Sequence, residues 1–394
     1  MATMITRFIL AGLLVGVPIF AADAVAQQAV SAAQASPAPA PAKPAPDVIV
    51  FTNGDQLSGM LVRGVGNNIV FKSEMAGEIT VPLDKVKELR STGSFALLRK
   101  DVPVTRTSTQ PGTIIFADGN VTVANPAGEP EVVPVKQMGY LIDQTTYDRE
   151  LERRPGPWFG WSGALSGGAT LVRSTTDVNT FTAGVALVRA IPSVPFLPPR
   201  NRTAINFQET YGKQTSPSNP QTLPPSEVVA KTNILHAGAE RDQYFSTRFY
   251  ALAQTTFDHN FAQGLDLQQV YGAGVGWTPF KTDRQQLDLK ADVHYEKQEF
   301  QTPANNQNLI GSTFSEAYRR VLPRKLLFTE TADVLPAWNN TSAYSANATA
   351  ALVLPLFKRL GMNFSTIDNF LNDPPAGFKK NSYQFVTGVT YSLR

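Results

Sequence analysis

Residues 287–296, LDLKADVHYE, constrain the fold of this chain more than any other stretch. Successive side chains of an extended strand point to opposite faces. Leu287, Leu289, Ala291, Val293 and Tyr295 therefore share one face, and Asp288, Lys290, Asp292, His294 and Glu296 share the other. Five apolar residues back to back with five ionisable ones fit a wall with lipid on one side and water or a salt-bridged interior on the other. Composition points the same way. The chain is 42% hydrophobic, yet beyond its first 26 residues it holds no apolar run long enough for a membrane helix. Within lipid every backbone polar group must be paired internally, which leaves the closed β-barrel.

The alternation recurs. Phe245, Thr247, Phe249, Ala251 and Ala253 form one such series. Tyr271, Ala273, Val275 and Trp277 stand opposite Gly272, Gly274 and Gly276, and Tyr383, Phe385, Thr387, Val389, Tyr391 and Leu393 form another series. The runs around Leu309 and Leu326 are mixed. About twelve strands fit between residue 158 and the end, at roughly twenty residues per strand and connection. Membrane barrels alternate short inner turns with long outer loops. Long polar connections are expected at 213–226, 258–266, 298–307 and 371–380, with a medium one at 336–340. Short ones are expected near Arg241-Asp242 and at 280–284, 322–324 and 355–358. The Pro-rich segment 191–201, IPSVPFLPPRN, breaks the alternation: it should be a short inner turn and is long. Trp158, Phe159, Trp161, Trp277 and Tyr391 are candidates for an aromatic girdle at the bilayer boundary.

Ahead of the barrel, residues 1–26 read as a signal peptide: Arg7, an apolar run over 8–20, and a small-residue cleavage site at Ala24-Val25-Ala26. Loss of the leader removes Arg7 and Asp23 together, so the net charge stays at +3, which makes no case for nucleic-acid binding. The absence of cysteine excludes disulfides and a lipoprotein anchor. Residues 27–46 read as an Ala/Pro-rich disordered linker. Residues 47–142 read as a small β-domain of two tandem units, because 69–89 can be laid on 121–141, with AGE, a Val-Pro step and a basic residue at related places. Asn53-Gly54, Asn67-Asn68 and Ala76-Gly77 are hairpin signals, and Asp55 and Asp118 are assigned to turn chemistry. Residues 143–157, charged and ending in Pro-Gly-Pro, are a connector to the barrel at 158–394.

The TNGDQLSGMLV and VFKSEMAGEITVPLDKVKEL segments, followed by WFGWSGALSGGATLVRSTTDVNTFTAGVALVRA, resemble the salt-induced outer membrane protein family, a domain of unknown function. Where many relatives carry an Arg-Gly-Asn-Thr-like turn after the first strand, this chain has Arg173-Ser174-Thr175-Thr176-Asp177. The resemblance implies an outer-membrane barrel and no established activity, and the alternating loop lengths support an even strand count near twelve with both chain ends, and so the N-terminal domain, in the periplasm. The closing VTGVTYSLR resembles an outer-membrane assembly signal in part, with Leu393 in the place of the usual final aromatic and Arg394 beyond it.

An acyl-transfer or lipid-modifying enzyme needs a serine and a histidine together with a group that orients the imidazole. The three histidines do not suggest one: His259 falls in an expected loop, His294 on the polar face, and His236 has no serine at useful spacing. No catalytic residue, cofactor or metal site is expected. Asp288, Lys290, Asp292, His294 and Glu296 could line a solute path or form an ion-paired plug, and about twelve strands do not decide between them. The expected role is a structural or stress-related envelope protein, with a small-solute pore as one alternative and a barrel-anchored periplasmic binding module as another. Expected partners are outer-membrane lipid, the barrel assembly machinery with its chaperones, and, for 47–142, the cell wall or a periplasmic protein.

Overall fold

The Val-, Ile- and Phe-rich runs after residue 46 fold as hairpins because their turns carry residues that accept positive φ, notably Gly54 at 91° and the Asp118-Gly119 pair at 52° and 72°. The computed structural model describes residues 46–100, 110–125, 128–152, 156–172, 177–217, 227–282 and 284–393. The leader, nearly all of the linker, the 173–176 turn and Arg394 lie outside the described residues.

Nine strands come first: β1 (Asp47–Phe51), β2 (Gln56–Val65), β3 (Asn68–Ser73), β4 (Gly77–Pro82), β5 (Val86–Arg99), β6 (Gly112–Ala117), β7 (Asn120–Ala124), β8 (Glu131–Pro134) and β9 (Met138–Asp143). Their order is β4-β3-β2-β1-β5-β6-β7-β8, and β9 pairs with both β2 and β5. Strands β1, β2, β9 and β5 therefore close into a ring. Segments 69–89 and 121–141 share one local pattern: two strands, a Val-Pro step, a 3-10 turn (Leu83–Lys85 or Val135–Gln137) and a third strand. The two patterns also share one core, in which Ile49, Phe71, Leu89, Leu97, Val121, Val133 and Leu141 are almost wholly buried. Asp47 is buried but fully used, its carboxylate accepting from Leu61 N at 2.7 Å, Thr92 N at 2.6 Å and Thr92 Oγ1 at 2.8 Å. That stitches the first strand across the ring.

The first part of the charged segment after β9, residues 144–152, is helical. Asp143 caps α1 (Gln144–Tyr147) by accepting from Thr146 N at 2.9 Å, and a wider turn, Asp148–Glu152, continues it. Tyr147 and Leu151 are buried there.

The closed barrel consists of β10 (Trp161–Val172), β11 (Asp177–Ile191), β12 (Asn201–Pro217), β13 (Glu227–Tyr244), β14 (Phe249–Asn260), β15 (Leu265–Lys281), β16 (Gln285–Phe300), β17 (Gln307–Val321), β18 (Leu327–Leu335), β19 (Ser345–Phe357), β20 (Leu360–Leu371) and β21 (Asn381–Ser392). Each strand pairs antiparallel with the next, and β21 returns to β10. Trp161 and Ser392 mark the proximal end of the barrel, and the opposite end is distal. Outward positions are apolar and exposed, as Val275, Val293, Phe314 and Phe385 show, while the intervening inward positions are covered. No helix among the described residues is long and apolar enough to cross a membrane.

Several sequence expectations move. Arg241-Asp242 is not a turn: β13 continues through it, and the turn is 245–248, so Phe245 and Thr247 leave the strand series. Cross-strand pairing to Tyr250, Ala251 and Leu252 carries β13 past the two charged residues. The long connection expected at 258–266 shrinks to 261–264, because β14 runs on to Asn260, where a side-chain cap to Ala262 N begins a 3-10 turn. His259 is consequently a strand residue, with Nδ1 2.7 Å from the Asp266 carbonyl oxygen. The mixed run around Leu309 has a tertiary reason, because the connection 336–344 folds back beside β17: Trp338 N donates to Ile310 O at 2.7 Å, and Ala337 and Ala343 pack with the buried Leu309.

The Pro-rich connection 192–200 has a tertiary reason for its length. It leaves the proximal rim and docks on the N-terminal β-domain. Leu197 is buried among Ala96, Leu98, Ile142, Tyr147 and Leu151. Glu150, fully buried, accepts from Ser193 N at 2.7 Å and Ser193 Oγ at 2.8 Å, and its backbone carbonyl accepts from Arg200 at 3.1 Å. The Arg63 guanidinium lies 5.4 Å from the Phe196 ring centroid. A bare hairpin turn could not have reached these partners.

Candidate functional site in the barrel interior

Asp288, Lys290, Asp292, His294 and Glu296 of β16 all point inward. Asp288, Asp292, His294 and Glu296 are between 1% and 6% exposed. Charges withdrawn from water to this degree persist only with partners. Those partners come mostly from other strands.

At the proximal end the hub is Arg202, near the start of β12. Its guanidinium reaches Asp242 on β13 (Nε to Oδ2, 2.6 Å) and Asp288 on β16 (Nη1 to Oδ2, 2.8 Å), with Glu240 at 3.7 Å. Lys290 closes the circuit to Glu240 at 2.5 Å. Asp288 also accepts from Thr278 Oγ1 at 2.6 Å and Gln286 Nε2 at 2.9 Å. The guanidinium carbon sits 5.3 Å from the ring centroid of Tyr250, which is wholly buried. The glycine face of β15 explains how an aromatic ring fits inside the wall: a Cβ at Gly276 would collide with the Tyr250 ring, and one at Gly272 would crowd the Asp292 carboxyl. Gly276→Val should therefore cost roughly 1–3 kcal/mol by overpacking. Chemical denaturation in micelles, followed by the shift between folded and unfolded gel bands, measures it; an unchanged midpoint would contradict this packing.

Farther along, Gln254 and Thr313 N hold Asp292, and His294 Nδ1 lies 3.0 Å from Thr313 Oγ1. Glu296 accepts from Gln268 at 2.5 Å and Gln298 at 2.6 Å. His236 is engaged at both ring nitrogens, by Asp258 at 2.6 Å and Asn206 at 2.9 Å. A cavity of about 700 Å³ lies between these groups, with Arg202, Asn206, His236, Glu240, Asp258 and Asp333 in its lining.

The distal mouth is crossed as well. Gln263, in the 3-10 turn after β14, is 3% exposed and donates to Asn369 O at 2.9 Å and Lys380 O at 2.6 Å. Strands β14 and β20 lie on opposite sides of a twelve-stranded ring. Leu265, Phe300 and Leu371 cluster beneath, and Phe378 lies against Gly264, where a Cβ would meet its ring at 2.8 Å.

The proposed girdle residues all lie toward the proximal end. Trp158 is 89% exposed just before β10, and Phe159 precedes the strand with it. The Trp161 indole donates to Pro157 O at 2.8 Å, Trp277 stacks on Phe249 with centroids 6.0 Å apart, and Tyr391 lies near the end of β21.

Sequence reading missed Arg202, Glu240, Asp242, Gln254, Gln268 and Gln263. Placing a turn at Arg241-Asp242 hid the first three, because it broke the alternation that puts His236, Gly238, Glu240 and Asp242 on one face opposite Gln208, Asn206, Ala204 and Arg202.

Residues 168–393, more than half of the chain and nearly the whole barrel, match the family model described as "Protein of unknown function, DUF481". The chain belongs to this family. It is an outer-membrane β-barrel with its N-terminal β-domain in the periplasm, so the proximal end is the periplasmic one. No curated protein matches this DUF481 chain. Among solved structures it is similar to the β-domain of the Bordetella autotransporter BrkA, at 10% identity over 59% of this chain and 98% of that one, TM-score 0.29. It is also similar to the CymD monoaromatic hydrocarbon channel, at 9% identity over 76% and 86%, TM-score 0.26. A Pseudomonas aeruginosa FadL homologue shares 9% identity over 88% and 86%, TM-score 0.22. Likenesses this slight carry no functional weight. Among the described residues no group of three or more His, Asp or Glu side chains is arranged to hold a metal ion.

Proposed function

We propose that this DUF481 protein is a structural, stress-related component of the envelope: a non-conducting barrel that anchors its periplasmic β-domain rigidly at the outer membrane. The observation that carries the reading is the Arg202 hub, which ties β12, β13 and β16 together through the lumen with side chains almost out of water. An ion crossing there would have to displace paired charges rather than water. The Gln263 contact across the distal mouth supports the same reading, and the docked 192–200 connection supports the anchoring role.

Outer-membrane lipid meets the apolar outer wall in this proposal, with Trp158, Phe159, Trp161, Trp277 and Tyr391 at the periplasmic boundary. The β16 charges serve as an internal brace. The barrel assembly machinery and its chaperones are the partners in biogenesis, and residues 47–142 face the cell wall, where they can meet a periplasmic partner.

Purified protein in a planar bilayer should give no stable unitary steps. Gln263→Ala, which frees the distal mouth but leaves the Arg202 hub in place, should remain silent. Reproducible ion-selective steps from the unaltered protein would refute the structural reading in favour of a pore.

A further inference from the structure

The seam that closes the barrel is paired over only part of its length. Strand β10 pairs with β11 along its whole course, from Trp161↔Arg189 to Val172↔Val178. With β21 it pairs only at Ala164↔Ser392, Leu165↔Tyr391, Ser166↔Thr390 and Gly167↔Val389. All four pairs lie in the periplasmic half. Toward the distal end, the same register would set residues 168–172 opposite 384–388, but no ladder joins them. Pairing stops where Gly167, Gly168 and Gly388 let the two backbones approach closely: a Cβ at Gly168 would lie 2.5 Å from Thr387 O. Unpaired strand edges at membrane depth are costly unless something covers them.

A cavity of about 230 Å³ occupies this gap. Its lining includes the inward-facing Thr180, Thr182, Thr210 and Gln384, and also the outward-facing Ala169 and Phe385. Residues whose side chains point to opposite faces thus border one space, at the place where the ladder between the two strands is missing. Among the described residues its lining carries no charged side chain, in contrast to the larger cavity beside Arg202. Gln384 Oε1 is buried there and finds no donor among the described residues.

We propose that the distal half of the β10–β21 seam is a lateral binding site for a single-chain amphiphile with an uncharged, hydrogen-bonding head. The head lies among the threonine hydroxyls and the Gln384 amide, and the tail leaves between Ala169 and Phe385 into the outer leaflet. Among the described residues this lining offers an anionic head no cation, which favours an uncharged head over a phosphate or carboxylate. The site is a lateral pocket and not a conduit, so it goes beyond the structural role and does not depend on it.

The chain has no native cysteine, which gives a clean background for the test. Full-length protein in lipid vesicles is irradiated with a diazirine-bearing monoacylglycerol, and the adducts are mapped by mass spectrometry. Labelling is expected at the inward residues Thr182, Thr210 or Gln384; adducts confined to outward residues such as Phe181 would overturn the proposal. Ala169→Cys with Thr387→Cys continues the pairing register by two residues and allows the seam to be bolted shut. Oxidation should abolish the inward adducts, and reduction should restore them in the same sample. Inward adducts that survive the bolt would also overturn the proposal. Thr182→Phe, which fills the cavity from β11, is the second variant should the double one fail to assemble, and it should likewise remove the Thr210 and Gln384 adducts. Competition separates head chemistries: excess unlabelled monoacylglycerol should suppress inward labelling and an equal amount of lysophosphatidic acid should not, while the reverse order would overturn the uncharged-head assignment.

Discussion

Arg202→Ala should destabilise the barrel by about 3–5 kcal/mol, the cost typical of breaking a buried ion pair from one side. The loss is large because two carboxylates are left behind: Asp242 and Asp288 have side chains only 1% and 7% exposed, and the guanidinium is the shared cation between them. Lys290, already bonded to Glu240, is not placed to replace a planar group that reaches Asp242 and Asp288 through separate nitrogens. Denaturant titration in micelles, scored by the fraction that still migrates as folded barrel before boiling, reads the change. Adding Asp242→Asn and Asp288→Asn to the alanine variant should recover much of the loss, since the buried charges disappear with their partner. A cost below about 1 kcal/mol, the value of an exposed pair, would mean that water fills this end of the lumen, and the non-conducting reading would fail with it.

Leu197→Asp is the second large effect, and it acts outside the membrane. Removing a buried leucine side chain alone costs about 2–5 kcal/mol, and placing a carboxylate among Leu98, Ile142, Tyr147 and Leu151 adds the cost of an unpaired buried charge. The expected result is release rather than global unfolding, because the β-domain keeps its own core around Phe71 and Leu89 and the barrel keeps its ladders. Brief trypsin treatment should cut at Arg200 and in the 143–157 region far faster than in the unaltered protein, while the barrel fragment stays heat-modifiable. Equal protection of this junction in both proteins would show that 192–200 does not fasten the domain. Glu150→Gln is a milder probe of the same junction, as it retains one acceptor for Ser193.

How much of this was legible beforehand follows from the range of each interaction. The outward series Leu287 to Tyr295 and Tyr271 to Trp277 could be read directly, because a strand's two faces are a local property of period two. The even strand count and the placing of both chain ends at one rim followed from alternating loop lengths. Turns were less legible. Arg241-Asp242 resembles a polar turn, yet both residues serve the interior or the ladder, and Asp242 is fully buried because Arg202 waits on the neighbouring strand. A polar pair in a strand whose interior is itself polar gives no local sign of where the strand stops.

The sequence by itself therefore determined the wall: antiparallel strands, about twelve of them, apolar outside and ionisable inside, behind a small β-domain. Tertiary structure alone decided what the interior is for. Arg202 and Asp288 are 86 positions apart, and Gln263 and Lys380 are 117 apart. Only closure of the barrel brings such residues within hydrogen-bond reach, because alternation says which way a side chain faces and not what faces it. The same holds for Ile191 to Asn201, an anomaly of loop length in the sequence. In three dimensions it is the strap that holds the periplasmic domain to the barrel.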